Sequence, residues 1–327
     1  DWTGEADAKI SGNFSYLETG NSLITTEGEY ANVDAGISKI LLDNPANKAN
    51  AKVDKFAIVI DSGVAKLDDF NIGSVSESLS MSFIDSNYNT ILSDETFTKD
   101  GVKYNNAFKD TVGHGTHVAG TIAAKADDKG VVGVAPGAEV ISLKVFGDTG
   151  STTFEIIFDA VSAAIDYVLE DEVDLWTDTG EIKYLGIAAK DTSALNVNNT
   201  VINLSLGGGL NAQSQPIVDL IESAAAQGVK FAIAGGNSNA DVDYTSPAAA
   251  GAVENVYTVS AVDKKYVMAS FTNYDDDDDG GVDDDVDVAG PGVDVLSYTG
   301  EDGTIEAWSG TSMAAPAVAG LLLMTPQ

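Results

Sequence analysis

Two histidines occur in this chain of 327 residues, and both fall in one run, His114-Gly115-Thr116-His117-Val118-Ala119-Gly120. Imidazole chemistry is therefore confined to that run. An imidazole serves nucleophilic catalysis when a carboxylate orients it and a hydroxyl lies within its reach. Two further runs supply these groups. Val59-Ile60-Asp61-Ser62-Gly63 lies upstream, and Gly310-Thr311-Ser312-Met313-Ala314-Ala315-Pro316 lies near the C-terminus. Asp61, His114 and Ser312, in that chain order, are the parts for acyl transfer through a covalent intermediate. His114 is assigned as the base because it stands at the mouth of a helix. His117, three positions on, reads as a packed or hydrogen-bonded helper. No His-Glu-x-x-His pattern accompanies the pair, which argues against zinc. Asn237 follows Ala234-Gly235-Gly236 and reads as an amide donor to a tetrahedral oxyanion, joined by the backbone N–H of Ser312.

These groups need elements to hold them. Phe56-Ala57-Ile58-Val59-Ile60 is a continuous apolar run, as in a parallel strand buried on both faces, with Asp61 at its C-terminal end. Further strands are expected over 139–145, 201–206, 229–234 and 255–262. Helices are expected over 114–124, 154–169, 216–227 and 311–324, with Gly228 closing the third. The 154–169 segment carries one apolar face: Ile156, Ile157, Ala160, Val161, Ala164, Ile165 and Val168. Alternating strands and helices predict an α/β fold with a mostly parallel sheet and helices on both faces. Residues 1–52 are weakly patterned and read as an N-terminal arm; 53–327 form the catalytic domain. Residues 170–199 read as an acidic inserted loop.

Composition sets further bounds. The formal net charge is −34, all 17 basic residues are Lys, and Cys is absent. Disulfides, thiolate catalysis and Cys-ligated zinc are excluded. So acidic a surface repels nucleic acid and anionic lipid. It fits solubility in a saline medium, and equally an Asp excess that serves calcium. No apolar stretch reaches the length of a membrane span.

The Asp-Ser-Gly run at Asp61, His-Gly-Thr-His-Val-Ala-Gly at His114, the strand-Gly-Gly-Asn at Asn237 and Gly-Thr-Ser-Met-Ala-Ala-Pro at Ser312 together resemble the subtilisin-like serine proteases, from about Phe56 to Leu323. The resemblance implies a parallel seven-stranded sheet and a secreted, monomeric endopeptidase acting on protein or peptide substrates, with its own propeptide as a further partner. It implies Ser312 as nucleophile, His114 as base, Asp61 as its orienter and Asn237 as oxyanion donor. Substrate would lie as an added strand between Gly150-Ser151-Thr152 and Ser205-Leu206-Gly207. Ala234-Gly235-Gly236 would wall the pocket for the side chain before the scissile bond. Pro247 matches a position that often follows a cis bond. Relatives of this kind continue past the position of Gln327, so either the C-terminus is processed or truncated, or the arm over 1–52 substitutes for the missing packing.

Calcium is the cofactor that the resemblance implies. Asp127 and the carbonyls of Lys129 and Val131, with Asp69, match the family's calcium loop. Asp275 to Asp287 holds nine Asp in thirteen residues. Asp275, Asp277, Asp279 and Asp283 follow EF-hand spacing, but Val286 stands where a bidentate Glu is expected. That run is either a calcium site of non-standard geometry or a solvated acidic loop. The competing functional reading is an acidic calcium-binding module, or a pseudo-protease, that keeps the fold without the activity.

Overall fold

Every residue of Phe56–Asp61 is buried, because this strand lies inside a sheet covered on both faces. The computed structural model describes residues 54–67, 75–84, 90–93, 96–99, 102–126, 130–170, 172–173, 190–251, 253–275 and 286–324. The expected arm over 1–52 lies outside the described residues, as do residues 174–189 of the acidic insertion.

The elements that position the site run in chain order. They are β1 (Phe56–Asp61), β2 (Met81–Ile84), β3 (Thr90–Ser93), α1 (His114–Ala123), β4 (Glu139–Lys144), α2 (Phe154–Leu169) and β5 (Thr200–Leu204). There follow α3 (Gln215–Ala225), β6 (Lys230–Ala234), β7 (Val256–Val262), β8 (Val288–Pro291), β9 (Val295–Thr299), β10 (Thr304–Trp308) and α4 (Thr311–Met324). The main sheet has the order β8-β7-β6-β5-β1-β4-β2-β3. The seven strands from β8 to β2 run parallel, as expected. Beyond them, β3 adds an antiparallel edge on β2. Strands β9 and β10 form a separate antiparallel hairpin leading into α4.

Alternation along the strands builds two cores. Ala57 and Val59 of β1 join one cluster with Val118 and Ile122 of α1 and Ala315 and Val318 of α4. Phe56, Ile58 and Ile60 point the other way, onto Ile157 and Val161 of α2 and Ile221 of α3. Each fully buried aliphatic side chain stabilises the fold by about 1.5–3 kcal/mol relative to exposure. Helix α2 starts where Thr153 accepts a hydrogen bond from Ile156 N–H. Helix α3 ends three residues before Gly228, which still takes the left-handed conformation, φ 94°. The Ser246–Pro247 peptide bond is cis.

Helix α1 meets β1 through glycine. A Cβ on Gly115 would lie 2.1 Å from the carbonyl oxygen of Gly63 and 3.1 Å from the Asp61 Cβ. The helix start therefore rests on main chain, and any side chain there would lift it. Gly115→Ala tests this. In an open helix the change adds about 0.8–1 kcal/mol of propensity; here it is expected to destabilise by about 1–3 kcal/mol through overpacking, read from urea unfolding. A higher denaturation midpoint would refute the close approach.

Candidate active site

The C-terminal ends of neighbouring parallel strands gather the candidate residues, as open α/β sheets favour. Asp61 is the last residue of β1, Ser205 follows β5, and Asn237 lies three residues past β6, the strands being adjacent in the order β6-β5-β1. His114 opens α1 and Ser312 is the second residue of α4. Those two helices share the core on the same face of the sheet.

His114 Nδ1 donates to both Asp61 oxygens, at 2.8 and 3.0 Å. Asp61 Oδ1 also accepts from Ser62 N–H at 2.7 Å. The carboxylate is 1% exposed and the imidazole 25% exposed. A proton on Nδ1 leaves Nε2 as the basic nitrogen. Burial disfavours the imidazolium, but Asp61, by charge and by hydrogen bond, and Asp110, by charge, outweigh it and raise the His114 pKa above its usual value.

The nucleophile candidate sits in a reciprocal pair. Ser312 Oγ donates to the Ser205 carbonyl at 3.2 Å, while Ser205 Oγ donates to the Ser312 carbonyl at 2.9 Å. Among the described residues no hydrogen bond joins Ser312 to His114. Pro316 explains why the Ser312 carbonyl is free. Pro316 is the sixth residue of α4, past the first turn, where an N–H would normally bond back four residues. Proline has none, so Ser205 satisfies the carbonyl that it leaves. An early helical position would not by itself have made proline harmless; the Ser205 hydroxyl does.

Asn237 is tied to the same helix start. Its Oδ1 accepts from Thr311 N–H at 2.8 Å and from Thr311 Oγ1 at 3.1 Å. Thr311 Oγ1 accepts in turn from Gly236 N–H at 3.0 Å. A backbone N–H can only donate, so the atom it meets is the amide oxygen. Nδ2 is thereby left as the outward donor. The N–H of Ser312 belongs to the first turn of α4, where backbone donors lack helical partners. The Cβ position of Gly310 lies 3.4 Å from Asn237 Nδ2 and 3.7 Å from the Ser312 nitrogen, so two donors and a helix N-terminus lie close together, an arrangement suited to negative charge.

His117 is separate from this centre. It is fully buried, donates from Nε2 to the Val295 carbonyl at 2.9 Å, and stacks on Trp308 at 5.1 Å with the rings 8° apart. Its Nδ1 meets no hydrogen-bond partner of good geometry among the described residues. Burial lowers its pKa to about 4, with His114 lowering it further and the Val295 bond opposing. The unfolded chain therefore binds a proton near pH 6.5 that the fold refuses until about 4. This contribution withdraws stability as pH falls through that window. Trp308 also stands 6.2 Å from the His114 ring.

Of the expected substrate segments, those at Ser205 and Gly236 adjoin the start of α4. Gly150 is left-handed, φ 73°, Ser151 is exposed and Thr152 half-buried. Ser205 and Leu206 are buried and Gly207 is exposed. Ala234 and Gly235 are buried, and Gly236 is left-handed, φ 109°, with its Cβ position only 2.4 Å from Asn273 Nδ2. The Thr245 methyl lies 3.5 Å from the Cβ position of both Gly207 and Gly236. Of the expected calcium ligands, Asp69, Asp127, Lys129, Asp277, Asp279 and Asp283 lie outside the described residues; Val131 is buried and Asp275 half-buried. Among the described residues no group of three or more His, Cys, Asp or Glu could hold a metal ion.

Sequence reasoning missed Thr311, which orients Asn237, although it stood inside the Gly-Thr-Ser run. It also missed Asp110 and Lys144, both buried. Asp110, four residues before His114, carried a weak local signal; Lys144 is singled out only by its register opposite Asp61.

Comparison with known proteins gives a consistent picture. The family model described as "Subtilase family" matches residues 57–326. Alkaline protease 1 of Aspergillus flavus is 38% identical over 216 residues, 65% of this chain and 43% of that protein. Subtilisin-like serine protease Rho m 2.0101 of Rhodotorula mucilaginosa is 36% identical over 217 residues, 65% of this chain and 52% of that protein. The chain thus spans about half the length of the curated relatives it matches. The crystal structure of a cold adapted subtilisin-like serine proteinase superposes with a TM-score of 0.53 and 28% identity, covering 81% of this chain and 72% of that one.

The two histidines make the electrostatics directly measurable. In an NMR titration, one imidazole Cε1–H signal is expected to titrate above 6.5 and the other to stay neutral down to about pH 4. Signals that titrate together near 6.5 would overturn this account of the two environments.

Proposed function

Because this chain belongs to the subtilase family, we propose that it is a secreted serine endopeptidase that hydrolyses protein substrates through an acyl-enzyme. The observation that carries this reading is the Asp61–His114 hydrogen bond at the C-terminal ends of the parallel strands, with Ser312 in the first turn of the neighbouring α4. In it, Ser312 is the nucleophile, His114 the base and then the acid, Asp61 the orienting carboxylate, and Asn237 an oxyanion donor.

The chemistry follows from these placements. Substrate entry draws the Ser312 hydroxyl from the Ser205 carbonyl toward His114 Nε2; catalytic hydrogen bonds are often long in a free enzyme and tighten with substrate. Nε2 takes the proton as Oγ bonds to the substrate carbonyl carbon. The carbonyl oxygen gains negative charge and is met by Asn237 Nδ2 and Ser312 N–H. The imidazolium then gives its proton to the leaving amine as the C–N bond breaks. Water, deprotonated by His114, repeats the sequence on the ester and frees Ser312. Asp61 stabilises the imidazolium and fixes its tautomer without taking the proton.

In this reading an extended peptide lies as an added strand between Gly150–Thr152 and Ser205–Gly207. In it, too, Ala234-Gly235-Gly236 walls the pocket for the side chain before the scissile bond. Secretion rests on the family reading, and no helix among the described residues is long and apolar enough to cross a membrane. Calcium rests on the resemblance of residues 127–131 and on Asp69; its role would be to brace those loops, and no step of the reaction passes through it.

A serine-directed fluorophosphonate tests this reading against the pseudo-protease. Labelling is expected at Ser312 and is abolished by Ser312→Ala, which in subtilisin, the family's own worked case, lowers turnover about 10⁶-fold. Asn237→Leu is expected to lower kcat about 10²–10³-fold, again by the subtilisin precedent. A folded protein that stays unlabelled with calcium present would favour the binding module. Cleavage should fail as pH falls through the raised His114 pKa, since only the neutral imidazole accepts the proton. Chelation with EGTA is expected to lower Tm, because an ion bound only by the native state stabilises it; an unchanged melting curve would remove calcium.

A further inference from the structure

The loop that follows β1 and the segment that precedes α1 are joined by a buried carboxylate for which the proposed reaction has no use. Asp110 has no exposed surface. Its Oδ1 accepts from Ser62 Oγ and Gly113 N–H, each at 2.8 Å. Its Oδ2 accepts from Thr116 N–H at 2.8 Å and Thr116 Oγ1 at 2.6 Å. Ser62 Oγ accepts in turn from Gly115 N–H at 2.9 Å, and Ser62 N–H is a donor to Asp61. The first turn of α1 lacks a side-chain cap at Gly113; Asp110 and Ser62 supply that cap from outside the helix. The residues on either side of His114 are thus fastened to Asp110 or to the residue next to Asp61.

A buried cation balances the arrangement. Lys144 ends β4 in register with Asp61 and is 1% exposed. Its Nζ donates to the Ser62 carbonyl and, at 2.9 Å, to the Lys109 carbonyl. Those carbonyls belong to the residue after Asp61 and the residue before Asp110. Two carboxylates and one ammonium make this buried group net negative, and a charge on His114 makes it neutral. A neutral amide in its place would keep one acceptor oxygen and lose the charge, setting an NH₂ group where the second oxygen now accepts.

We propose that Asp110 is a second-carboxylate positioning residue: it fixes the start of α1 so that His114 meets Asp61, and its charge stabilises the imidazolium formed during acyl transfer. This rests on the serine endopeptidase reading for its role in turnover, but not for its effect on the imidazole. The charged and titratable groups around His114 are Asp61 on β1, Asp110 ahead of α1 and His117 on α1. Lys144 on β4 faces Asp110 and Asp61, with Lys109 and Asp148 beyond it. Glu306 on β10 is bonded to the Trp308 indole that stands beside the ring. Of these, Asp61 and Asp110 are the carboxylates that favour the His114 charge.

The test is Asp110→Asn, which keeps the shape and an acceptor oxygen and removes the charge. The His114 Cε1–H titration is expected to fall by about one pH unit, as loss of a near opposite charge requires, while His117 remains low. The acid limb of peptide cleavage should shift by the same amount, with kcat reduced about tenfold and KM within about twofold, since the stabilisation is felt in the charged intermediate. A folded variant with His114 titrating at the wild-type pH would leave Asp110 a helix cap only and overturn the proposal. If Asp110→Asn does not fold, the double variant Asp110→Asn with Lys144→Met removes one buried charge of each sign. Its His114 must then titrate below that of Lys144→Met alone, and equality overturns the proposal. The titration needs no turnover. Absent cleavage by the wild-type protein would therefore count against the endopeptidase reading, while the shift would still decide the part of Asp110.

Discussion

A helix start and a strand end must touch main chain to main chain for Asp61 and His114 to be bonded, and the rest of the site is arranged around that contact. Two glycines permit it. Gly63 is left-handed, φ 109°, and turns the chain away after β1, while Gly115 offers no Cβ to hold the helix off. Once α1 rests there, its first residue lies over the end of β1 and its apolar residues fall on the sheet face shared with α4. The strand order then does the remaining work. Because β5 and β6 lie next to β1 on one side, their C-terminal loops bring Ser205 and Asn237 to the end of α4 that carries Ser312.

Backbone groups left without partners account for the fine geometry of the site. A proline inside α4 removes one donor, and the carbonyl so released binds Ser205, whose own carbonyl holds the Ser312 hydroxyl. The free N–H of Thr311 at the helix start takes the Asn237 amide oxygen and turns its NH₂ outward. The free N–H groups at the start of α1 take Asp110 and Ser62. In each case a gap in a helical ladder is filled by a side chain from another element, so helix ends and site residues are positioned together. Unpaired buried polar groups cost about 1–3 kcal/mol each, so these pairings stabilise the fold as well as the site.

The sequence carried much of this, for identifiable reasons. Five strands were legible because each is a run of apolar or β-branched residues buried on both faces. The short strand β2, Met81-Ser82-Phe83-Ile84, offers too few residues to show a period. Strand β8, Val288-Ala289-Gly290-Pro291, holds the two residues least at home in a sheet, and its edge position tolerates the proline. Asp61, His114, Ser312 and Asn237 were legible because each sits in a run of small residues that generic packing does not call for. Asp110 and Lys144 were not, because their importance lies in contacts across 48 and 82 positions of chain, between Asp110 and Ser62 and between Lys144 and Ser62. Nothing local marks a lysine that will be buried with its charge.

The strongly acidic surface and the site obey different electrostatic rules. Charges on the surface of a protein are largely screened beyond about 8 Å at physiological ionic strength, whereas buried ones are not. Repulsion is felt where surface carboxylates crowd: on α2, burial and then the charge of Glu155, one turn away, push half-buried Asp159 up to about 6. Asp61 and Asp110 stand apart from that population, at 1% and 0% exposure, with their oxygens filled by fixed donors. The His114 imidazole therefore responds to two buried carboxylates far more than to the net charge of −34. A sequence can accordingly accumulate Asp on its exterior, to whatever end its surroundings require, without retuning the imidazole at the foot of α1.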